Sequence, residues 1–182
     1  MTTRAPDGRW VVLLRGVNVG GVTIRSADLR ACVEALGFTG VRTVLASGNV
    51  VVDATEEPLE SAKRRVEEGL GERFGYEAWV VLVTVQALAA VVDGFPWPSR
   101  EGWHDYVTFV SEPCVLDELL GAVDALALDP ETDPVGGGEG VVYWQVPQGG
   151  TLDAPFSKLS SKARYKATTT TRNVRTLRRL LG

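Results

Sequence analysis

The chain has 182 residues, enough for one large domain or two small ones, and its 45% hydrophobic and 23% charged content is that of a globular protein, which excludes disorder of the whole chain. The apolar runs are too short to cross a bilayer and the first eight residues lack a signal-peptide core, so we expect no membrane span and a cytoplasmic location. The net charge of -4 hides an asymmetry, because residues 157–182 carry eight basic and no acidic side chains.

The first stretch of the chain predicts a strand, a helix and a hairpin. The apolar run 10–15 is typical of a strand buried on both faces, and Ser26 is suited to cap the helix that follows. Two β-branched runs, 41–46 and 49–52, are separated only by Ser47-Gly48, which favours a tight hairpin.

A second helix and a further strand complete this first unit. The predicted helix begins at Pro58 and ends at Gly71. The first helix likewise ends at a glycine, Gly37. A strand over residues 76–83 follows the second helix. The resulting order, β-α-β-β-α-β, is that of the ferredoxin-like plait.

The same pattern restarts after a stretch rich in proline and tryptophan. A short helix capped by Thr84 leads into residues 94–103, which we interpret as a packed linker between domain 1–93 and domain 104–182. The predicted elements of the second domain are strand 104–110, helix 115–123, a short strand around Leu126, strand 141–146, a helix near 157–164 and a last helix 174–181. The sequence therefore predicts an α+β fold of two ferredoxin-like subdomains, a degenerate structural repeat, with a basic C-terminal helix.

The loop after the first strand, residues 15–21, is the leading candidate for a binding site. Its spacing fits neither a P-loop nor a dinucleotide-binding loop. Its glycines would nevertheless let backbone N–H groups approach a ligand, Arg15 would supply a forked pair of donors, and the next helix would offer its positive end. The alternative is that Gly20 and Gly21 only permit positive φ, with Arg15 in a structural ion pair.

Two further polar segments allow a structural as well as a functional interpretation. Ser47-Gly48-Asn49 is ordinary hairpin-turn chemistry, and Asn173 is a natural cap for the last helix. Arg175, Arg178 and Arg179 lie largely opposite the apolar stripe of that helix. They either form a solvated face of a helix that seals the core, or they bind an anionic partner such as nucleic acid.

Common metal and catalytic signatures are missing from the sequence. The single histidine, His104, excludes zinc sites built on paired histidines, and no nucleophile elbow is present. The acidic stretch 129–133 imitates a calcium loop, but Pro134 stands where that loop needs glycine. We predict no metal site, and the sequence indicates no particular cofactor.

Three segments together have a distinctive order and spacing. They are Leu13-Leu14-Arg15-Gly16-Val17-Asn18-Val19-Gly20-Gly21, Ser47-Gly48-Asn49-Val50-Val51 after Gly37-Phe38, and Thr171-Arg172-Asn173. In these features the chain resembles an uncharacterised, mainly bacterial family catalogued as domain of unknown function 1697. The resemblance implies two plait subdomains and no activity that can be carried over. The chain departs from the family at Val44, Ala46 and Val174, where tyrosine, glutamine and tryptophan are usual.

We predict that the three segments meet in a cleft that binds a small anionic or nucleotide-like ligand. The predicted ligand-binding residues are Arg15, Asn18, Gly20, Gly21, Ser47, Asn49, Arg172 and Asn173. One alternative is an enzyme that acts on such a ligand by positioning and electrostatic stabilisation. Another is a protein or nucleic-acid interaction module, in which the basic C-terminal segment binds a partner instead of docking on the acidic remainder of the chain.

Overall fold

A computed structural model describes residues 8–17, 22–45 and 48–182 of the chain. The residues form two compact units. The first extends to Ala89 and includes Arg179–Gly182, and the second is Ala90–Arg178. Each unit is built on a four-stranded antiparallel sheet, so the α+β prediction is confirmed.

The first unit has the plait order that the sequence predicts. Its elements are β1 (Arg9–Leu14), α1 (Ser26–Ala35), β2 (Arg42–Thr43), β3 (Asn49–Asp53), α2 (Leu59–Phe74) and β4 (Val80–Thr84). The strand order β2-β3-β1-β4 places β1 inside the sheet, antiparallel to β3 and β4. The residues at the end of β1 are therefore held between two neighbouring strands.

The central strand β1 is buried on both faces, as predicted. Trp10, Val12 and Leu14 pack into one core cluster with apolar residues of α1 and α2. Val11 and Leu13 point to the opposite face and are also fully buried. A strand buried in this way needs an unbroken apolar sequence, and this explains why residues 10–14 show no polar alternation.

The start of α1 differs from the prediction, whereas its end agrees. Ser26 is the first helical residue, and Arg25 occupies the N-cap position without a capping side-chain hydrogen bond. Gly37 follows the helix at φ +89°, in the left-handed region that favours glycine after a helix.

The predicted end of α2 at Gly71 is wrong, because the helix continues to Phe74 and is terminated by Gly75 at φ +68°. The nearby Gly69 inside the helix has a packing role. A Cβ atom there would lie 2.5 Å from Leu36 Cδ2, so glycine lets the side chain of Leu36 approach the α2 backbone.

The second unit repeats the order of the first, after α3 (Val85–Asp93). Its elements are β5 (Trp103–Val110), α4 (Pro113–Ala125), β6 (Val135–Gly138), β7 (Val141–Pro147), α5 (Pro155–Ser160) and β8 (Thr169–Asn173), followed by α6 (Val174–Leu181). The strand order β6-β7-β5-β8 matches that of the first sheet position by position. The predicted structural repeat and C-terminal helix are thus present.

The predicted strand around Leu126 is wrong, because Leu126 ends α4 and the edge strand is the glycine-rich β6. Glycine disfavours strands, so local propensity gave no signal for β6. The neighbours of β6 explain its glycines. A Cβ atom at Gly138 would lie 2.5 Å from Tyr143 Cε2, and one at Gly137 would lie 2.9 Å from Leu120 Cδ1.

The helix predicted near 157–164 is divided into α5 and a 3₁₀ turn at Ala163–Tyr165. Ser160 and Ser161 end α5, and both hydroxyls donate back to the Ser157 carbonyl, at 3.3 and 2.6 Å. Such local hydrogen bonds compete with continuation of a helix.

The start of α6 agrees with the prediction, since Asn173 Oδ1 accepts a hydrogen bond from the Arg175 backbone N–H at 2.9 Å. Its last turn belongs to the first unit. There the Arg42 guanidinium of β2 donates to the carbonyls of Arg179 and Leu180, at 3.4 and 2.9 Å. A cation at a helix C-terminus satisfies exposed carbonyls and complements the helix dipole.

Within the ranges given above, no helix combines the length and apolar character that crossing a membrane requires.

Candidate functional site

The end of β1 is fixed by backbone hydrogen bonds on both sides. The Leu14 N–H donates to the Gly48 carbonyl of the hairpin turn at 2.8 Å, and the Arg15 N–H donates to the Trp79 carbonyl at 2.9 Å. The second bond extends the β1–β4 pairing by one residue. The chain therefore leaves the sheet at Arg15 from a defined position.

The hairpin turn packs directly against this strand end. Gly48 is buried at φ +69°, and a Cβ atom there would lie 2.8 Å from Leu14 Cβ and 2.5 Å from Val17 Cγ2. Only glycine combines this backbone conformation with this close approach. The structure thus places the described residues 14–17, at the end of β1, next to Gly48 of the hairpin turn.

Arg15 lies at this meeting point with a half-buried side chain. Desolvation by burial lowers the pKa of its guanidinium from the usual value. Gly16 follows at φ +73° and is exposed, with open space around the position of a Cβ atom. The half-buried side chain of Arg15 is thus followed by a backbone position with open space where a Cβ atom would lie.

Asn49 holds the hairpin together. Its side chain is fully buried, and Nδ2 donates to the Val44 carbonyl at 3.0 Å while the Val44 N–H donates to the Asn49 carbonyl at 2.9 Å. These two bonds span the turn. The geometry gives Asn49 a positioning role under the turn, with no side-chain surface open to solvent.

Leu45, in the same turn, was not predicted as a site residue. It lies in the left-handed region at φ +59°, and its apolar side chain is 45% exposed. Both features are unfavourable, since a non-glycine residue in this region costs about 1–2 kcal/mol. Strain of this kind collects at functional sites. The sequence contains no signal for it, because leucine does not favour positive φ.

Four of the predicted ligand-binding residues lie outside the described residues: Asn18, Gly20, Gly21 and Ser47. The residues that flank 18–21 are described. Val17 and Val22 form an isolated parallel β-bridge, which fixes both ends of the loop.

The remaining two predicted residues, Arg172 and Asn173, end β8 in the second unit. Arg172 Nη1 donates to the Thr170 hydroxyl and the Thr171 carbonyl, both at 2.8 Å. Asn173 uses its side-chain oxygen as the cap of α6. Both side chains therefore have structural hydrogen bonds at their own strand end.

The C-terminal helix presents the charged face that its sequence predicts. Arg175, Arg178 and Arg179 are exposed, whereas Val174 and Leu177 are buried. No ion pair within the described residues involves any of the three arginines.

The described part of the chain contains no group of three or more His, Cys, Asp or Glu side chains that could hold a metal ion. The charged group that the described residues contribute at the end of β1 is the guanidinium of Arg15, whose N–H donors suit carboxylate or phosphate oxygens.

Comparison with known proteins identifies the family and supports the fold. The model of the family described as "Protein of unknown function (DUF1697)" matches residues 8–143. A solved structure of a conserved bacterial protein from Streptococcus pneumoniae is similar to this chain, with a TM-score of 0.78, 21% sequence identity and 96% of each chain covered. No curated protein matches the chain.

Proposed function

The chain belongs to the DUF1697 family of proteins of unknown function, and we propose that it binds a small anionic or nucleotide-like ligand where β1 ends against the hairpin turn. The observation that carries the proposal is the position of Arg15, a half-buried guanidinium at the point where Gly48 packs on the strand end. A guanidinium that is partly removed from water attracts an anion more strongly than one in bulk solvent, because the local dielectric constant is lower.

The chemistry of Arg15 favours a phosphate or carboxylate group. A guanidinium offers parallel N–H donors in a planar fork that matches two oxygens of either anion, and charge-assisted bonds of this type are stronger than neutral ones. The open space at Gly16 leaves room for a ligand beside the backbone. Arg15 would be the charge anchor.

The strained turn supports the same location. Leu45 is held at positive φ with a largely exposed apolar side chain, which costs stability. Asn18, Gly20, Gly21 and Ser47 stay predictions for the rest of the cradle. Arg172 and Asn173 likewise stay predictions from the sequence.

A thermal-shift screen tests the proposal with inorganic phosphate, pyrophosphate, AMP, ATP and citrate. A ligand at 100 times its Kd stabilises the folded state by about 2.7 kcal/mol, which raises the Tm of a chain of this size by roughly 5–10 °C. We expect such a shift for at least one phosphate compound, and we expect Arg15→Gln to abolish it.

Arg9→Gln is the matched control. Arg9 is exposed at the other end of the same strand, so the substitution removes an equal charge at a distance from the turn. The proposal fails if no anion raises the Tm, or if Arg15→Gln and Arg9→Gln respond alike.

The arginines of α6 favour a second candidate function, binding of nucleic acid through phosphate contacts. Arg175, Arg178 and Arg179 are neighbours on one helix face, and like charges at this spacing destabilise a helix unless a partner neutralises them. We expect salt-dependent binding of a 20-nucleotide RNA in fluorescence anisotropy, lost in R178E/R179E and kept in the α2 control K63E/R64E. Absence of binding at low salt, or equal loss in both variants, contradicts this function.

A further inference from the structure

A cavity of about 240 Å³ opens in the second unit, independently of the site at Arg15. Residues of the linker, of the end of α4 and of the chain leading into β6 line it. Its volume is below the 300–1,000 Å³ typical of pockets for drug-sized ligands, but it is several times the 30 Å³ of a water molecule. It suits a small chemical group.

The lining of the cavity combines an aromatic ring with negative charge. Trp97 and two acidic residues, the exposed Asp124 and the half-buried Asp133, are among the lining residues, and the others are all apolar: Val123, Ala127, Leu128, Pro130, Pro134 and Val135. The lining has no basic side chain. An anion would therefore be repelled, and an uncharged apolar ligand would desolvate the carboxylates without compensation.

Trp97 is held in place by its neighbours. Its ring meets Phe95 edge to face, with centroids 5.7 Å apart. On the β6 side the ring packs over Gly136, where a Cβ atom would make an ordinary van der Waals contact with it at 3.4 Å. The aromatic wall is thus preorganised.

The lack of ion pairs at the two acidic side chains leaves their charge available to a ligand, as far as the described residues show. Neither Asp124 nor Asp133 takes part in an ion pair within the described residues. Asp133 is half-buried and oriented locally, since its N–H donates to the Asp129 carbonyl at 2.8 Å and its Oδ2 accepts from the Thr132 hydroxyl at 3.0 Å. Two carboxylates are too few for a stable divalent-metal site, which takes more oxygen ligands.

We propose that this cavity binds an alkylammonium group, with Trp97 facing the cation and Asp124 and Asp133 balancing its charge. An ammonium or methylated ammonium is attracted to the face of an indole ring, and its apolar carbons match the leucine, valine and proline walls. The group belongs either to a free small amine or to a lysine side chain of a peptide, since both carry the same chemistry.

The test compares choline with its uncharged carbon isostere, 3,3-dimethylbutan-1-ol, in nuclear magnetic resonance titrations of the ¹⁵N-labelled full chain. We expect saturable shifts with choline for the Trp97 indole and the Leu128 and Val135 amides, and at least tenfold weaker binding of the isostere. Equal binding of both compounds, shifts confined to other residues, or no shift with 50 mM choline would overturn the proposal.

Substitutions in the same loop separate the cavity from general charge. Asp133→Asn should weaken choline binding at least threefold, whereas Glu131→Gln, which removes a charge from an exposed residue that does not line the cavity, should change it less than twofold. An equal effect of both substitutions would overturn the proposal. Titration with N-acetyl-lysine-methylamide and its trimethylated form identifies the source, because binding tighter than that of choline assigns the cavity to a lysine side chain.

Discussion

Gly48 is the residue on which the contact between the hairpin turn and the end of β1 depends, and Gly48→Ala tests that contact. The added Cβ atom would lie 2.8 Å from Leu14 Cβ and 2.5 Å from Val17 Cγ2. The valine methyl group can rotate away. Leu14 Cβ cannot, because it is fixed to the central strand, and relief of this contact requires the turn to move off β1.

The magnitude follows from two separate costs. An alanine at φ +69° costs about 1–2 kcal/mol relative to glycine, and overpacking of a buried contact costs roughly 1–3 kcal/mol more. Gly16→Ala isolates the first cost, because Gly16 has nearly the same φ, +73°, and open space at its Cβ position. We expect Gly48→Ala to be the less stable variant by about 2 kcal/mol, or roughly 4–8 °C in Tm.

Urea unfolding followed by circular dichroism at 222 nm measures both variants against the parent chain. Loss of glycine entropy in the unfolded state affects both alanine variants equally and cancels in the comparison. If Gly48→Ala is no less stable than Gly16→Ala, the turn does not pack on β1 as described, and the reasoning that places the two segments together is refuted.

Substitutions at three further positions each test a single feature of the structure. Asn173→Ala should lower the free energy of unfolding by about 1 kcal/mol in urea, because it removes the α6 cap, and Asn173→Asp should retain stability. Leu45→Asn should raise the free energy of unfolding by about 0.5–1 kcal/mol, because asparagine tolerates positive φ and the leucine side chain is largely exposed. A lower free energy of unfolding would contradict the claim that the backbone is strained at Leu45. Burial, with a smaller contribution from Cys32, raises the pKa of Tyr76 from 10.0 to about 12. The tyrosine therefore loses its proton at lower pH in the unfolded state than in the folded state, and the free energy of unfolding falls as the pH rises from 10 to 12. In alkaline unfolding experiments, Tyr76→Phe should make this fall less steep.

The architecture could be predicted because local patterns of apolar residues indicate most of its strands and helices. The run at 10–14 and the paired runs of the hairpin produce the strands that they predict, and the same order recurs after residue 103. The pattern fails where tertiary contacts override local preference. Gly137 and Gly138 form a strand because Leu120 and Tyr143 fill the space of their missing side chains, which no local signal reveals.

The candidate site could be predicted only in part for the same reason. Arg15 is placed by the end of an apolar strand, which the sequence shows. The packing of Gly48 on Leu14 and the positive φ of Leu45 depend on contacts and backbone angles that residue type does not encode. The cavity at Trp97 joins residues up to 38 positions apart in the chain, so it appears only in the folded structure.

Isothermal titration calorimetry with pyrophosphate tests most directly whether Arg15 anchors an anion. The titration is carried out with the parent chain, with Arg15→Gln and with Arg9→Gln. Loss of a charge-assisted bond costs about 1.5–3 kcal/mol, so we predict binding about 10–100-fold weaker for Arg15→Gln and within twofold of the parent for Arg9→Gln. The absence of saturable binding to the parent chain, or equal affinity of the parent and Arg15→Gln, would contradict the account.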